Sequence, residues 1–342
     1  MLLKHIQNKY KIISIVGMAK NSGKTVALNH LIQESLDEGI RLGIISTGRD
    51  GESLDLVTET EKPKIYVEEG VLIATTTELL PLSDATVEII DITDYTTPLG
   101  EILIGRIKDS GYIQISGPQT VSEIREMANF MVSLGAELVV IDGAIDRKSS
   151  AAPSITDATI LSTGAVLSRD INRVIEETLH IVNLFSLPPV DSKDRPLLER
   201  AFAKGEIGIV DEDLNFHPLG IKTALNCGHI IGEHLREDSK YILIPGSLVK
   251  STMEGIMEAG SRYKRVALVV ADGTKIFIEP KDWLRFTKYG LKVRVMNPIK
   301  LVAITLNPYA PQGYYFDPRE LLEKMRYYIK DIPVVDLVLG SE

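Results

Sequence analysis

Short runs rich in Ile, Val and Leu alternate along the chain with segments whose apolar positions recur every three or four residues. That rhythm predicts strands and helices in turn, an α/β fold with a doubly wound, mostly parallel sheet. Lys11–Val16 and Arg41–Ser46 read as strands. Between them Val26, Leu28, Leu31, Ile32 and Leu36 mark one face of a helix over Lys24–Glu38, with Gly39 as its C-cap. Shorter strand-like runs follow at Lys64–Val67, Val71–Thr75, Val87–Ile92, Glu101–Ile107 and Gly111–Ser116. Thr120-Val121-Ser122-Glu123 has the spacing of a capping box and opens a helix over Ile124–Ser133. Ala136–Ile141 is apolar almost throughout, as expected of a central parallel strand covered on both faces.

The second half of the chain keeps the rhythm less strictly. A strand is expected near Asp157–Leu161 and a helix near Asn172–Leu184, before Pro188-Pro189 breaks the pattern. Glu206–Val210 reads as a strand, and Thr223–Glu233 is ambiguous. A new α/β rhythm begins with a strand at Tyr241–Ile244 and a helical stripe of Val249, Met253, Ile256 and Met257. Val266–Ala271 and Lys275–Ile278, joined by Asp272-Gly273, read as a hairpin. Strands at Lys292–Val295, Leu301–Leu306 and Val334–Val338 and helices at Lys281–Phe286 and Pro318–Ile329 complete the chain. The expected division is a nucleotide-binding domain over 1–185, a linker or insert over 186–240, and a C-terminal α/β region over 241–342. Whether that last region extends the first sheet is left open by the sequence.

The chemistry concentrates where the first strand meets the first helix. Ile13-Ser14-Ile15-Val16-Gly17 runs through Met18-Ala19-Lys20-Asn21-Ser22 into Gly23-Lys24-Thr25. Strand, polar loop and helix N-terminus in that order form a phosphate-binding loop, because the first helical amides have no partner and the helix dipole is positive there. Gly17, Asn21, Ser22, Gly23, Lys24, Thr25 and Val26 are the candidate phosphate-binding residues. Lys24 is placed to reach the β- and γ-phosphates and the Thr25 hydroxyl to reach Mg²⁺. Five residues separate Gly17 from Gly23, one more than in the common G-x-x-x-x-G-K-[ST] pattern. Asp142 follows the strand Glu137–Ile141, and an acid at that place holds Mg²⁺ in P-loop proteins. Thr47-Gly48-Arg49-Asp50-Gly51-Glu52 leaves the second strand on the same face of a doubly wound sheet. Asp50 is therefore a second candidate metal ligand or water-orienting group, and Arg49 a candidate anion contact. Lys24, Asp50 and Asp142 form the candidate catalytic set, and Thr25, Asp142 and Asp50 the candidate metal set.

Other polar strand ends carry less. Asp146 and Arg147 after Gly143-Ala144 either face a ligand or are solvated loop charges. Ser116-Gly117-Pro118 and Ser162-Thr163-Gly164 read as ordinary turns. Asn307-Pro308 is either a turn or a base-contacting asparagine. Cys227, His229 and His234 are near one another in sequence but lack further ligands for a metal. No Asn-Lys-x-Asp guanine motif occurs, which tilts the expected nucleotide toward ATP.

Composition narrows the partners. A net charge of −9 gives no basic footprint for nucleic acid or an anionic membrane. One cysteine excludes an intrachain disulfide framework and fits a reducing cytoplasm. The first residues have no long apolar stretch of the signal-peptide kind, and no apolar run approaches the roughly 18 residues of a membrane span. A cytoplasmic protein is the expectation.

The long loop and the Asp142-Gly143-Ala144 turn resemble the dethiobiotin synthetase and cobyrinate amidase branch of P-loop NTPases. Three stretches together carry a narrower resemblance: 16–25, 47–52, and Leu306-Asn307-Pro308-Tyr309-Ala310-Pro311-Gln312-Gly313 followed by Phe316-Asp317-Pro318. With them the chain resembles the reactivase accessory subunit of cobalamin-dependent lysine or ornithine aminomutases. That resemblance implies a nucleotide-driven partner that helps exchange damaged cobalamin, working with a second, MutS-like reactivase subunit. The Asp-x-His-x-x-Gly signature that ligates cobalt is missing, so its residues give no support for direct cobalamin binding. Three functions stay open: a nucleotide-driven accessory factor with partner-dependent hydrolysis, an ATP-dependent carboxylate-activating ligase of the dethiobiotin synthetase or amidase type, and a scaffold that holds nucleotide without hydrolysing it. For the amidase version Cys227 is a poor nucleophile, since no elbow glycine precedes it.

Overall fold

A computed structural model describes residues 2–47, 65–118, 120–143 and 155–338. In chain order the elements begin with β1 (Ile12–Gly17), α1 (Lys24–Asp37), β2 (Leu42–Ser46), β3 (Ile65–Val67), β4 (Leu72–Thr76), β5 (Thr86–Thr97), β6 (Gly100–Asp109) and β7 (Gly111–Ile113). Next come α2 (Val121–Ser133), β8 (Leu138–Asp142), β9 (Ala158–Gly164) and α3 (Ile171–Phe185). The middle of the chain holds α4 (Arg195–Phe202), β10 (Ile207–Asp211), β11 (Phe216–Ile221), α5 (Gly228–Glu233), β12 (Ser239–Leu243), β13 (Leu248–Val249), α6 (Lys250–Glu258), β14 (Ala267–Val270), β15 (Ile276–Phe277), α7 (Pro280–Lys288) and β16 (Lys292–Val295). The chain closes with β17 (Leu301–Asn307), α8 (Pro318–Tyr328) and β18 (Val334–Asp336). None of the described helices is long and apolar enough to cross a membrane.

Two compact units result, one of residues 1–178 with 300–342, the other of 179–299. These boundaries differ from the expected 1–185, 186–240 and 241–342. The reason is strand pairing: β17 lies parallel to β9, and β18 parallel to β17, so the last segment of the chain completes the first sheet.

The first unit is an α/β fold around a nine-stranded sheet of order β18-β17-β9-β1-β8-β2-β4-β6-β5. From β18 to β4 the strands run parallel, and β6 is antiparallel to both its neighbours, β4 and β5. β1 is central and buried along its length, so alternate residues serve opposite faces. Ile13 and Ile15 pack with Ala27, Leu28, Leu31 and Ile32 of α1, and with Leu42, Ile44, Leu138 and Val140. Ile12 faces the other way, with Ile45, Val139 and Ile141, onto Ile124, Met127, Ala128 and Met131 of α2. Full burial of each Ile, Leu, Val or Met among them stabilises by roughly 1.5–3 kcal/mol. Helices thus cover both faces, the doubly wound arrangement that the alternation predicts. The capping box is present: the Thr120 hydroxyl accepts from the Glu123 amide while Glu123 accepts from the Thr120 amide.

Topology fixes where a ligand can sit. From β1 the chain moves to β2 and β4 on one side, whereas β9, β17 and β18 lie on the other. The loop leaving β1 therefore opens at the point where strand order reverses, the usual ligand crevice of such sheets.

The second unit has a five-stranded sheet of order β11-β10-β12-β14-β16, with β12, β14 and β16 parallel and β10 antiparallel to both its neighbours. The hairpin expected over 266–278 does not form. The Asp272 carboxylate accepts from the Thr274 amide at 2.8 Å, which bends Gly273–Lys275 into a 3₁₀ turn. β15 then pairs in parallel with β13. The ambiguous stretch 223–233 supplies only the short helix α5.

Candidate functional site

Gly17 ends β1, and the next amide, that of Met18, donates to Ser162 O of β9 at 2.9 Å. The loop then turns sharply. Asn21 has φ 61° and Gly23 φ 95°, two left-handed residues within three positions. Glycine tolerates that conformation without penalty, which accounts for Gly23 directly before the helix. A side chain at Gly17 would collide with the Ser22 hydroxyl, so the two ends of the loop are packed against each other.

α1 starts at Lys24 with no side chain capping its N-terminus. Its first internal bond is from the Ala27 amide to Gly23 O. The amides before Ala27 thus lie in the first turn, where a helix has no internal partner for them. The Ser22 hydroxyl is 1 % exposed and makes no hydrogen bond among the described residues. A buried hydroxyl without a partner is costly, and at the mouth of a helix it marks a place for an acceptor.

Lys24 and Asp142 meet here. β8 sits directly beside β1, with Ile15 opposite Asp142, and beside β2, with Ser46 opposite Asp142. Lys24 Nζ lies 2.9 Å from Asp142 Oδ1 and also donates to the Gly143 carbonyl oxygen. The side chains are only 15% and 21% exposed. The Asp142 carbonyl oxygen accepts from the Thr47 amide at 2.8 Å and from its hydroxyl at 3.2 Å, which joins the ends of β2 and β8. Thr25 is half-buried in the first turn of α1, and Val26 beside it is exposed.

The structure therefore gathers Gly17, Asn21, Ser22, Gly23, Lys24, Thr25, Val26 and Asp142 at one end of the parallel sheet. Asp50 lies outside the described residues, as do Arg49, Asp146 and Arg147. Other expected turns are absorbed by the fold. The Ser162 hydroxyl pairs with that of Thr305 at 2.8 Å, and Thr163 with Thr178 at 2.8 Å. Among the described residues no group of three His, Cys, Asp or Glu side chains is arranged to hold a metal, and His229 pairs instead with Glu233.

One residue weighed from sequence as a turn or a base contact has a different target. Asn307, at the end of β17, reaches the phosphate-binding loop: its Nδ2 donates to Asn21 O at 2.9 Å. The late Asn-Pro turn was the only signal available, and it describes the backbone at 307 rather than the target of its side chain.

A cavity of about 1080 Å³ lies at the other end of α1, lined by His5, His30, Glu34, Arg326 and Asp336 among others. There Glu34 accepts from the Leu2 and Leu3 amides and faces His30 at 2.9 Å, so its carboxylate ties down the N-terminal segment.

No protein-family model and no curated protein matches the chain. Among solved structures, the signal recognition particle receptor FtsY from Elizabethkingia anophelis is similar at 11% identity and a TM-score of 0.26, over 93% of this chain and 66% of that one. The likeness is too loose to carry residues across, so the class rests on the sheet order and on the loop after β1: an α/β fold of P-loop NTPase type.

Proposed function

We propose that the chain binds a nucleoside triphosphate with Mg²⁺ at the end of β1, ATP being the nucleotide, and acts as a nucleotide-driven accessory factor. The observation that carries this reading is the uncapped N-terminus of α1, fronted by an unpartnered Ser22 hydroxyl and flanked by Lys24 and Asp142. Those groups fit a phosphate chain and its cation. Backbone amides from Gly23 to Val26 and the Ser22 hydroxyl supply donors, and the Lys24 ammonium supplies charge. Thr25 and Asp142 supply oxygens of the kind a hard divalent ion takes, and Asp50 remains a third oxygen candidate on sequence grounds. Mg²⁺, when bound, neutralises phosphate charge. Lys24 exchanges its Asp142 partner for phosphate oxygens, which leaves the Asp142 carboxylate available.

Calorimetric titration of Mg-ATP, with Mg-GTP alongside, tests the binding. A saturable isotherm supports it, and ATP the tighter of the two supports the assignment of base. No heat from either nucleotide at millimolar concentration overturns it.

The finer reading is reactivation of a cobalamin-dependent aminomutase together with a second reactivase subunit. It rests on the resemblance of three stretches, and it gains support from the contact between two of them, the phosphate-binding loop and Asn307. Co-expression with such an aminomutase and the second subunit should restore cobalamin-inactivated enzyme only when triphosphate is present. Restoration without nucleotide, or none at all, counts against it. Steady ADP release that depends on a small carboxylate substrate and needs no partner would instead favour the ligase alternative.

A further inference from the structure

Asn21 and Asn307 are 286 residues apart in sequence and joined by one hydrogen bond. Asn307 stands opposite Gly164 in the β17–β9 ladder, so its backbone is fixed by the sheet. Both polar atoms of its side chain are engaged with backbone. Nδ2 donates to Asn21 O at 2.9 Å, and Oδ1 accepts from the Tyr309 amide at 3.2 Å. Its Cβ also lies against Gly23, within 3.1 Å of where a side chain would begin.

The consequence follows from peptide geometry. In a trans peptide the carbonyl oxygen and the amide hydrogen point in opposite directions. No peptide among the described residues is cis. Holding Asn21 O on Asn307 therefore turns the Ser22 N–H to the other side of the same plane, across the loop. It donates there to Ala19 O at 3.3 Å, which closes the loop into a turn between Ala19 and Ser22.

We infer that Asn307 is a positioning residue of the phosphate cradle: by gripping the Asn21 carbonyl and packing against Gly23 it holds the loop in the turn that leads into the Gly23–Val26 amides. This rests on the nucleotide-binding reading. Asn307 acts on phosphate affinity through the loop and does not read the base.

Two variants separate its two bonds. Asn307→Asp keeps the acceptor for Tyr309 and loses the donor; Asn307→Ala loses both without adding charge. Calorimetry on the full chain would use Mg-ATP and, as a probe without base or sugar, Mg-tripolyphosphate, with Lys24→Ala as reference. Both variants should bind both probes more weakly, by about threefold to tenfold, the loss expected for one hydrogen bond. The fall should be equal for the two probes, with the melting temperature of Asn307→Asp unchanged. A loss for ATP alone means base contact and overturns the inference. So does a loss in Asn307→Asp alone, which marks charge repulsion, or in Asn307→Ala alone, which marks the Tyr309 turn. If Lys24→Ala loses affinity while both Asn307 variants match wild type, only the role of Asn307 falls. If Lys24→Ala also binds as wild type does, the nucleotide site falls with it.

Discussion

Both units are α/β folds with parallel strands at their centre, yet the end of β1 in the first differs from the polar contacts of the second. In the 179–299 unit polar side chains close onto one another. Asp194 accepts from the Tyr241 hydroxyl and Lys240, each at 2.8 Å, which holds its carboxyl below the usual range, chiefly through Lys240. Asp211 accepts from His217, from the Asn215 amide and from the Asn215 side chain. Asp272 folds onto Thr274. In the first unit the end of β1 has a buried hydroxyl without a partner, an uncapped helix and two left-handed residues. Satisfied polar groups stabilise a fold, and unsatisfied ones at a strand end mark a ligand site. The carboxylates of one unit serve its fold, and the loop of the other carries the proposed nucleotide site.

The largest expected effect is a packing effect in the 179–299 unit. Phe286 is 1% exposed. Phe286→Ala should cost about 3–5 kcal/mol of stability, read as a lower denaturant midpoint, with no change in nucleotide Kd. A change in Kd as large as that of a loop variant would blur the contrast between the units. Next is Lys24→Ala, which removes a charge-assisted phosphate contact worth roughly 1.5–3 kcal/mol. Nucleotide affinity should fall roughly tenfold to a hundredfold by calorimetry, and wild-type affinity would remove the loop from the account. Asp142→Asn should change the Mg²⁺ requirement more than the affinity for nucleotide alone. A Mg²⁺ titration that superposes on wild type would take Asp142 out of the metal site.

The smallest effect is a pH effect. Hydrogen bonding, first from His217 and then from the Asn215 amide, holds the Asp211 carboxyl down to about 2. A depressed carboxylate stabilises fully above its unfolded pKa, near 4, and that contribution is lost as pH falls through about 2. Asp211→Asn should therefore lose stability less steeply than wild type between about pH 4 and pH 2. Parallel acid-unfolding curves would show that the His217–Asp211 pair contributes nothing.

Much of the first unit is legible in sequence because its signals are local. The apolar run before Gly17, the stripe on α1, the Thr120–Glu123 box and the apolar strand before Asp142 each lie within a few residues. The placement of β17 is not local. Its sequence predicts a strand but contains nothing that names β9 as its neighbour, so the expected domain boundaries differ from the compact units. At Asp272-Gly273 two local rules compete: the pair suits a hairpin turn, and the aspartate also suits capping its own backbone, which is what forms. Asn307 shows the same limit. Asn-Pro describes a turn, while its Nδ2 binds the Asn21 carbonyl at a distance in sequence that no spacing rule covers.

The most direct test is a crystal structure of the full chain with Mg²⁺ and a non-hydrolysable ATP analogue. The account predicts the phosphate chain on the Gly23–Val26 amides, with Lys24 moved from Asp142 onto phosphate oxygens. The analogue bound elsewhere, with the Lys24–Asp142 pair intact and nothing against the start of α1, would contradict it.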